Sequence, residues 1–477
     1  MHIRSALVMM AIGAGAAGAA PAADAFSFAR ERVSSGRLSG VDPALTALGM
    51  PGATPVAFCV APGTDPAYAD DFAAWVASES GFGERYFLGG RWSVTANGST
   101  PPQGQGVALT YSFPSDGLAG ISGGQTSVNV LNQKLIDWYG SVAAGKARFR
   151  DAFSRWEAVS GLRYTEVSDD NAGWGAGGVL GVRGDVRIAS ITIDGPGGVL
   201  AFNFFPNNGD MVVDSADGFN SQGFFANVVT HESGHGWGAQ HVCPANGTKI
   251  MEPFANGIQT PPLDDKRAVQ LNYGDTYEPN NSIAQATNVG SINSIETNVP
   301  DASVVAGGED YFRFTIATRG TLRVTAVVED QFPYQSYAQT STCPGGPNNV
   351  SPATISRLGL TLYASNGTTV LQDVSSTLGF NVAVGGQTVN PNDQFYVRVR
   401  GLDGTFDTQL YRLVIRSEPP LCPGDTNGDN IVNFADLNAV LGQFGQTGPG
   451  LAADVNGDGV VNFADLNLVL SNFGRTC

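Results

Sequence analysis

The sequence predicts a multidomain protein made of an α+β domain, an all-β sandwich and a small repeated helical module. Strands and long helical runs alternate over residues 91–275, and short strands separated by Gly, Asn and Asp turns fill residues 276–417. Residues 418–477 contain a linker and an internal duplication. The length of 477 residues fits roughly three domains, and 42% hydrophobic residues suffice for buried cores.

Composition and charge argue against two kinds of partner. The formal net charge is −17, and only 14% of the residues are charged. Nucleic acids and anionic membrane surfaces require a basic face on the protein, so we expect neither as a partner. After the N-terminus no stretch approaches the ~18 apolar residues that span a bilayer, so we expect no membrane span.

The first 25 residues have the pattern of a secretory signal peptide. Arg4 supplies the basic start, an apolar run of small residues follows from Ala6 to Ala20, and A-x-A cleavage sequences come next. A buried Ala/Gly helix is the alternative interpretation. We therefore expect a secreted protein, extracellular or associated with the cell surface, with residues 26–90 as a separate N-terminal region.

The cysteines agree with an oxidising compartment, where disulfides are stable. There are five, so at least one is unpaired or is removed by cleavage. Cys422 and Cys477 bracket the C-terminal module, and we expect them to pair. The sequence does not assign partners to Cys59, Cys243 and Cys343.

The strongest functional signal is the run Thr-His-Glu-Ser-Gly-His-Gly-Trp-Gly-Ala-Gln-His, which follows an apolar helical stretch. His231 and His235 lie one turn apart on one helix face, so both imidazoles can reach the same ion. Gly238 can end the helix in a left-handed conformation, and the returning chain can then present His241 as a third ligand. Three protein ligands with one open position describe a catalytic zinc, and Glu232 is placed as the general base.

The scarcity of histidine supports this interpretation. The chain has four histidines, and His2 belongs to the expected signal peptide. All the others are the three expected ligands. A short H-E-x-x-H pattern can occur by chance on a helix, but the clustering of every remaining histidine at ligand spacing argues against purely structural roles.

The extended pattern H-E-x-x-H-x-x-G-x-x-H resembles the metzincin zinc peptidases, which carry a Met-turn beneath the metal. Met251, ten residues after His241, is similar in spacing. Further stretches resemble the matrixin branch: Arg91-Trp92, Leu109-Thr-Tyr, Phe153-Ser-Arg-Trp156, Asp194–Ala201 and Leu263–Gly274. The resemblance implies an α+β catalytic domain over residues 91–275 with one catalytic Zn²⁺. It also implies protein or peptide substrates, bound as an extended strand along the edge strand Val199–Phe202.

Two groups of residues depart from the matrixin pattern or match it only in part. Phe202 and Val212 stand where matrixins place histidines of a second, structural zinc, so we expect that site to be absent. Asp194, Asp214 and Asp217 match positions at which the family binds calcium, and carboxylate oxygens in a Gly-rich loop suit Ca²⁺. Solvated loop aspartates are the alternative.

Residues 26–90 correspond in position to a matrixin prodomain, as in a zymogen. Matrixin prodomains block the zinc with a Cys in a Pro-Arg-Cys-Gly context. Here the surroundings are Phe58-Cys59-Val-Ala-Pro, without the Arg and the Gly. One interpretation is a latch role for Cys59, and the other is a disulfide from Cys59 to Cys243.

Residues 276–417 resemble the bacterial pre-peptidase C-terminal domain. The resemblance rests on Tyr277–Ala286, Asp310–Phe314, Leu360–Tyr363 and Tyr411–Ile415. It implies an accessory β-sandwich without chemistry of its own, behind a secreted peptidase.

Residues 422–477 contain two similar twelve-residue loops. Oxygen-bearing side chains occupy loop positions 1, 3, 5, 9 and 12 and a hydrophobic residue position 8, which is EF-hand spacing with Asp replacing the usual final Glu. The candidate calcium ligands are Asp425, Asn427, Asp429, Ile431, Asn433 and Asp436, and then Asp454, Asn456, Asp458, Val460, Asn462 and Asp465. The tandem resembles a dockerin, which implies two Ca²⁺ ions and a cohesin-like partner. A cell-surface docking partner and two solvated acidic turns are the alternatives.

Together these patterns predict a secreted zinc endopeptidase that acts on extracellular proteins and docks through its C-terminus with the help of calcium. One alternative is a catalytically silent, scaffold-bound adhesin. Another is a zinc hydrolase that acts on cell-wall peptide amides.

Overall fold

The structure is a computed structural model. It describes residues 56–62, 64, 88, 90–121, 127–193, 195–293, 295–318, 320–329, 334–338, 349–403, 407–418, 422–448, 451–456 and 458–477. The expected signal peptide lies outside these ranges. The described residues form two compact units: the first contains those up to Glu278 and those within Pro333–Ser351, and the second contains those within Pro279–Phe332 and Pro352–Cys477.

The first unit is an α/β domain built on a six-stranded sheet with the order β1-β5-β6-β4-β2-β3. Strands β2, β3, β4 and β6 pair in parallel, whereas β5 runs antiparallel to both of its neighbours, β6 and β1. The elements are β1 (Val56–Val60), β2 (Ala108–Ser112), α1 (Leu131–Tyr139), α2 (Val142–Glu157), β3 (Arg163–Glu166), β4 (Val186–Ile191), β5 (Val199–Phe204), β6 (Met211–Asp214), α3 (Gln222–Trp237), β7 (Val242–Cys243) and α4 (Leu263–Tyr273).

Helices α2 and α3 form the centre of this unit. Ser141 caps α2 by accepting a hydrogen bond from the Ala144 N–H, and α3 is buried without interruption from Phe225 to Trp237. A helix that is buried on all sides belongs to the core of a domain. The Trp156 and Trp237 rings of the two helices meet at 5.1 Å in an edge-to-face contact, a geometry worth ~0.5–1.5 kcal/mol beyond the buried area.

Strand β5 is not at the edge of the sheet, which corrects the expectation from the matrixin resemblance. Strand β1 pairs with its outer side, and Cys59 lies opposite Ala201. The chain's own residues 56–60 therefore occupy the edge that we expected to be free for a substrate.

The second unit contains a five-stranded sheet, β16-β15-β18-β10-β8, and a four-stranded sheet, β17-β11-β19-β9. Buried residues alternate with half-buried or exposed ones along β11 and β18, as in a sandwich whose sheets each have a less buried face. The strands are β8 (Thr287–Ile292), β9 (Thr297–Val305), β10 (Glu309–Ile316), β11 (Gly320–Val328), β15 (Leu358–Tyr363), β16 (Val370–Ser375), β17 (Val382–Val389), β18 (Gln394–Gly401) and β19 (Thr408–Glu418).

Three short strands between β11 and β15 belong to the first unit, although the sequence boundaries placed them in the sandwich. They are β12 (Tyr334–Gln335), β13 (Tyr337–Ala338) and β14 (Asn349–Val350). β13 pairs antiparallel with β7, directly after His241, and β12 pairs with β14. We call residues 334–338 and 349–351 the returning segment, because the described chain comes back with them to the first unit.

The C-terminal module has two short helices, α5 (Phe434–Gln443) and α6 (Phe463–Ser471), around a small core of Val432, Val440, Ala453, Val461 and Val469. Cys422 and Cys477 form a disulfide, with Cα atoms 5.7 Å apart. Each helix begins at the tenth residue of its twelve-residue loop, Phe434 or Phe463. Capping boxes formed by Asn433 with Asp436, and by Asn462 with Asp465, set these starts.

The predicted fold class is confirmed: a mixed α/β domain, a β-rich region and a small helical module. None of the helices in the described ranges is long and apolar enough to cross a bilayer.

Candidate metal centre and active site

Helix α3 carries the first two candidate ligands, and a glycine ends the helix where the third must return. His231 and His235 are buried one turn apart on α3. Gly238 has a φ of 118°, and its N–H bonds back to the carbonyls of Gly234 and His235. A Cβ at this position would lie 2.1 Å from the Gly90 carbonyl oxygen, so only glycine fits.

The three imidazoles converge on one point. The Nε2 atom of His231 lies 2.9 Å from Nε2 of His235 and 3.2 Å from Nε2 of His241. One nitrogen from each ring belongs to a set whose members all lie within 4.8 Å of one another. The structure thus brings together the three ligands that the spacing predicted.

Hydrogen bonds to the opposite ring nitrogens show that this cluster fits a metal. Nδ1 of His231 lies 2.7 Å from the Ile250 carbonyl, and Nδ1 of His235 lies 2.7 Å from the Ala239 carbonyl. A carbonyl only accepts, so each Nδ1 carries the proton and each Nε2 presents a lone pair. Burial lowers the pKa of His231 to about 4 and that of His235 well below its ordinary value, which keeps both rings neutral. Lone pairs that face one another at this distance fit a cation bound between them.

The turn at Met251 supports the first ligand. Asp265 accepts hydrogen bonds from the N–H groups of Ile250 at 2.9 Å and Met251 at 3.2 Å, and the Ile250 carbonyl in turn holds His231. Asp265 is buried, and its link to the ligand runs through the backbone. Sequence reasoning missed this role, because only the tertiary contact between α4 and the turn reveals it.

Helix α3 packs tightly on Met251. A Cβ added to Gly234 would lie 2.3 Å from the Met251 Sδ and 3.0 Å from its Cε, whereas a Cβ at Gly223 of the same helix would meet only the end of the flexible Gln259 side chain, at 3.0 Å. We therefore expect Gly234→Ala to destabilise the protein by ~1–3 kcal/mol and to weaken zinc retention, because the Met-turn must shift. Gly223→Ala is the matched control. Thermal unfolding and zinc content check the prediction, and equal behaviour of the two variants would contradict it.

Glu232 is fully buried beside the cluster. Neither of its carboxylate oxygens has a hydrogen-bond partner among the described residues. Burial raises the pKa of this carboxyl well above its ordinary value. A buried carboxyl without a partner is costly in a folded protein, so its position points to chemistry rather than to stability.

Cys59 lies at the same site. It is a free, buried cysteine, and its Sγ is within 4.8 Å of a ring nitrogen of His231 and a carboxylate oxygen of Glu232. Burial raises the pKa of this thiol well above its ordinary value, and the Glu232 charge adds to the effect. The proposed disulfide to Cys243 is therefore wrong: β1 directs Cys59 toward the histidines, while Cys243 is bonded elsewhere. Cys343 lies outside the described residues.

The calcium candidates of the first unit are placed only in part. Asp194 lies outside the described residues. Asp214 accepts a hydrogen bond from the Ala216 N–H at 2.7 Å, and Asp217 accepts one from the Gly197 N–H at 2.8 Å. Burial raises the pKa of Asp217 to about 6, and its Oδ2 has no partner among the described residues.

The positions that would hold histidines of a second zinc are apolar and packed together. Phe202 of β5 lies directly opposite Val212 of β6, and both side chains are buried in one hydrophobic cluster. These two residues offer no metal-binding atoms.

The two C-terminal loops each bring three carboxylates together. In each loop the first, fifth and twelfth residues have carboxylate oxygens within 4.8 Å of one another: Asp425, Asp429 and Asp436, then Asp454, Asp458 and Asp465. At loop position 6, Asn430 has a φ of 64° and Gly459 a φ of 84°, so both adopt the left-handed turn that the loop requires.

The remaining candidates at these loops also have defined contacts. Asn427 and Asn456 donate to the Asp429 and Asp458 carboxylates. Ile431 and Val460 present carbonyls to Asn433 and Asn462.

Comparison with known proteins identifies two parts of the chain. The family model for matrixin matches residues 136–274, and that for the dockerin type I domain matches residues 423–473. Stromelysin-3 of Xenopus laevis is 28% identical over 228 residues, which are 44% of this chain and 46% of that protein. The hatching enzyme of Paracentrotus lividus is 33% identical over 124 residues, 24% of this chain and 19% of that protein. Matrix metalloproteinase-B of Caenorhabditis elegans is 32% identical over 201 residues, 34% of this chain and 37% of that protein.

Similar solved structures include the pre-peptidase C-terminal domain of a Bacillus anthracis collagenase, at 12% identity and a TM-score of 0.18, covering 28% of this chain and 94% of that one. The chain spans less than half of the length of the curated relatives named above. Residues 136–274 are thus similar to the matrixin family and residues 423–473 to the dockerin type I domain.

Proposed function

We propose that this protein is a secreted zinc-dependent endopeptidase that hydrolyses peptide bonds of extracellular proteins. The observation that carries the proposal is the convergence of three Nε2 atoms beside the buried, unpartnered carboxyl of Glu232. The matrixin match and the stromelysin-like relatives support it. The apolar N-terminal run supports secretion.

The histidines and Glu232 would have separate roles in hydrolysis. His231, His235 and His241 would hold one zinc ion, with the Ile250 and Ala239 carbonyls fixing the orientation of the first two rings. When bound, zinc polarises the scissile carbonyl and stabilises the charge that develops on its oxygen. Glu232 takes a proton from the attacking water and delivers it to the leaving nitrogen. Its raised pKa suits a group that must both accept and release a proton.

Removal of the metal tests this proposal. We expect a zinc chelator to abolish cleavage of a denatured-protein panel and stoichiometric Zn²⁺ to restore it. N-terminal mapping of the products identifies the bonds that are cut. Cleavage of cell-wall peptides but not of proteins would favour the amide hydrolase, and zinc binding without any hydrolysis would favour the silent adhesin. Either result would refute the endopeptidase.

We also propose that the C-terminal module binds two Ca²⁺ ions and docks to a cohesin-like or cell-surface partner. The two carboxylate clusters and the dockerin match support this. Asp436 and Asp465 occupy the last loop positions and also cap their helices, so ion binding and helix formation involve the same side chains.

A calcium titration tests this second proposal. We expect isolated residues 422–477 to bind two Ca²⁺ ions and to gain helix on binding, whereas Asp436→Ala should bind only one, because the first loop loses its final carboxylate. Asn438→Ala, on the exposed face of α5, is the control and should behave as the wild type. Calorimetry and circular dichroism make the measurement. If calcium causes no change in the wild type, the docking proposal fails.

A further inference from the structure

A cavity of about 270 Å³ lies in the first unit where helix α2 meets the start of helix α3. Its wall consists of one face of α2, the first two turns of α3 and the side chain of Gln259. None of the residues that line it belongs to the histidine cluster. The volume is just below the ~300–1,000 Å³ of sites for drug-sized ligands, so the cavity suits a small ligand.

Helix α2 directs two arginines and one aspartate at this cavity. Arg148, Asp151 and Arg155 are three and four residues apart, so they lie on one face of the helix. Nη1 of Arg148 lies 3.4 Å from the Asp151 carboxylate in a partly exposed ion pair. Arg155 instead donates to the Thr230 hydroxyl at 3.2 Å. Because one carboxylate faces two guanidinium groups, the cavity has an excess of positive charge.

The arginines have donor capacity that the described chain does not use. Nε of Arg148 is buried and has no hydrogen-bond partner among the described residues. A buried donor without a partner is destabilising, and a ligand that accepts its hydrogen bond removes that cost. Burial lowers the pKa of Arg155, Asp151 opposes this change, and the charge of Arg148 adds to it. The two guanidinium groups are therefore close enough to repel each other.

The start of α3 adds to the positive charge of the cavity. Gln222 and Gly223 line it, and the first turn of the helix contains no acidic residue. The N–H groups at a helix start carry a partial positive charge that favours anions. The chain as a whole has a net charge of −17, so this cavity is not part of a generally basic surface.

We propose that the cavity binds one small divalent oxyanion of the sulfate and phosphate class. The fork of an arginine side chain matches two oxygens of such an anion, and its charge does not depend on pH in the ordinary range. Arg148 and Arg155 would hold the anion from one side and the start of α3 from the other. The bound anion would offset the repulsion between the two arginines and link the two central helices of the first unit.

Isothermal titration calorimetry of the zinc-loaded full chain with sodium sulfate tests the proposal, at an ionic strength kept constant with sodium chloride. We expect one saturable site per chain. Arg148→Gln and Arg155→Gln should each weaken sulfate binding ~10–100-fold, because each removes a charge-assisted hydrogen bond. Arg150→Gln, the same change at an exposed position of α2, is the matched control and should bind as the wild type.

Asp151→Asn supplies a test that a folding defect cannot imitate. Asp151 is the acidic residue among those that line the cavity, and it repels an anion there. Its removal should tighten sulfate binding ~5-fold. Unchanged or weaker binding by this variant would overturn the proposal. The same holds for wild-type affinity in both Arg148→Gln and Arg155→Gln, and for the absence of saturable binding in the wild type.

The same titration after removal of zinc by a chelator distinguishes this cavity from the metal centre. No histidine lines the cavity, so the affinity for sulfate should not change. Loss of binding together with zinc, while circular dichroism shows that the protein remains folded, would assign the anion to the metal centre and refute the proposal.

Discussion

Replacing Glu232 by Gln is expected to lower kcat/KM for protein substrates by ~10²–10⁴-fold, the usual contribution of a general acid–base group. The side chain keeps its shape but can no longer accept the proton of water. Because Glu232 does not belong to the three-histidine group, the zinc content should stay at one ion per chain. Hydrolysis of a fluorescent peptide and metal analysis of the same sample make the measurement.

The matched control for this variant is Asp137→Asn, an exposed acid-to-amide change on α1. It should leave both readouts unchanged. If Glu232→Gln retains full activity, Glu232 is not the base, and another group must take the proton. If the variant loses zinc, the carboxyl supports the metal site instead.

Removing the returning segment is expected to have the second large effect. A chain that ends at Glu278 keeps every residue of the histidine cluster but loses β13, which pairs with β7 directly after His241. It also loses Ser336, whose hydroxyl donates to buried Asp264 at 2.6 Å. Loss of one such partner from a buried polar group costs ~1–3 kcal/mol. We therefore expect a lower Tm and faster loss of zinc than in the full chain.

Two further variants make this result specific. A chain that lacks only residues 422–477 should keep the Tm of the first unit, because that unit contains none of them. Ser336→Ala should reproduce part of the loss, whereas Ser365→Ala, at an exposed position of the second unit, should not. Equal thermal unfolding and zinc retention in the Glu278 truncation and the full chain would show that the returning segment is dispensable.

The local part of the site could be predicted from sequence, because helix geometry alone determines it. Two histidines four residues apart face the same way on any helix, and a glycine without a Cβ is needed where the chain turns back. The calcium-type loops could be predicted for the same reason, because the spacing of their oxygen-bearing residues is contained within twelve residues. Asn430 even takes the left-handed conformation in place of glycine.

Features that depend on pairing between distant segments could not be predicted in this way. The run Val-Ala-Phe-Cys-Val between Pro55 and Pro62 has the composition of a strand. Its sequence does not identify β5 as the strand with which it pairs. The disulfide proposed for Cys59 failed for that reason. The link from Asp265 to His231 likewise passes through the backbone of Ile250, so neither residue reveals the other in the sequence.

The returning segment also has a consequence for the order of events during synthesis. A chain emerges from its N-terminus, and domains generally fold as they appear. The first unit includes residues up to Ser351, so its last contacts form only after strands β8 to β11 have been made. The histidines are therefore synthesised long before the fold around them is complete. A later part of the chain is therefore needed to complete the unit that contains the histidine cluster.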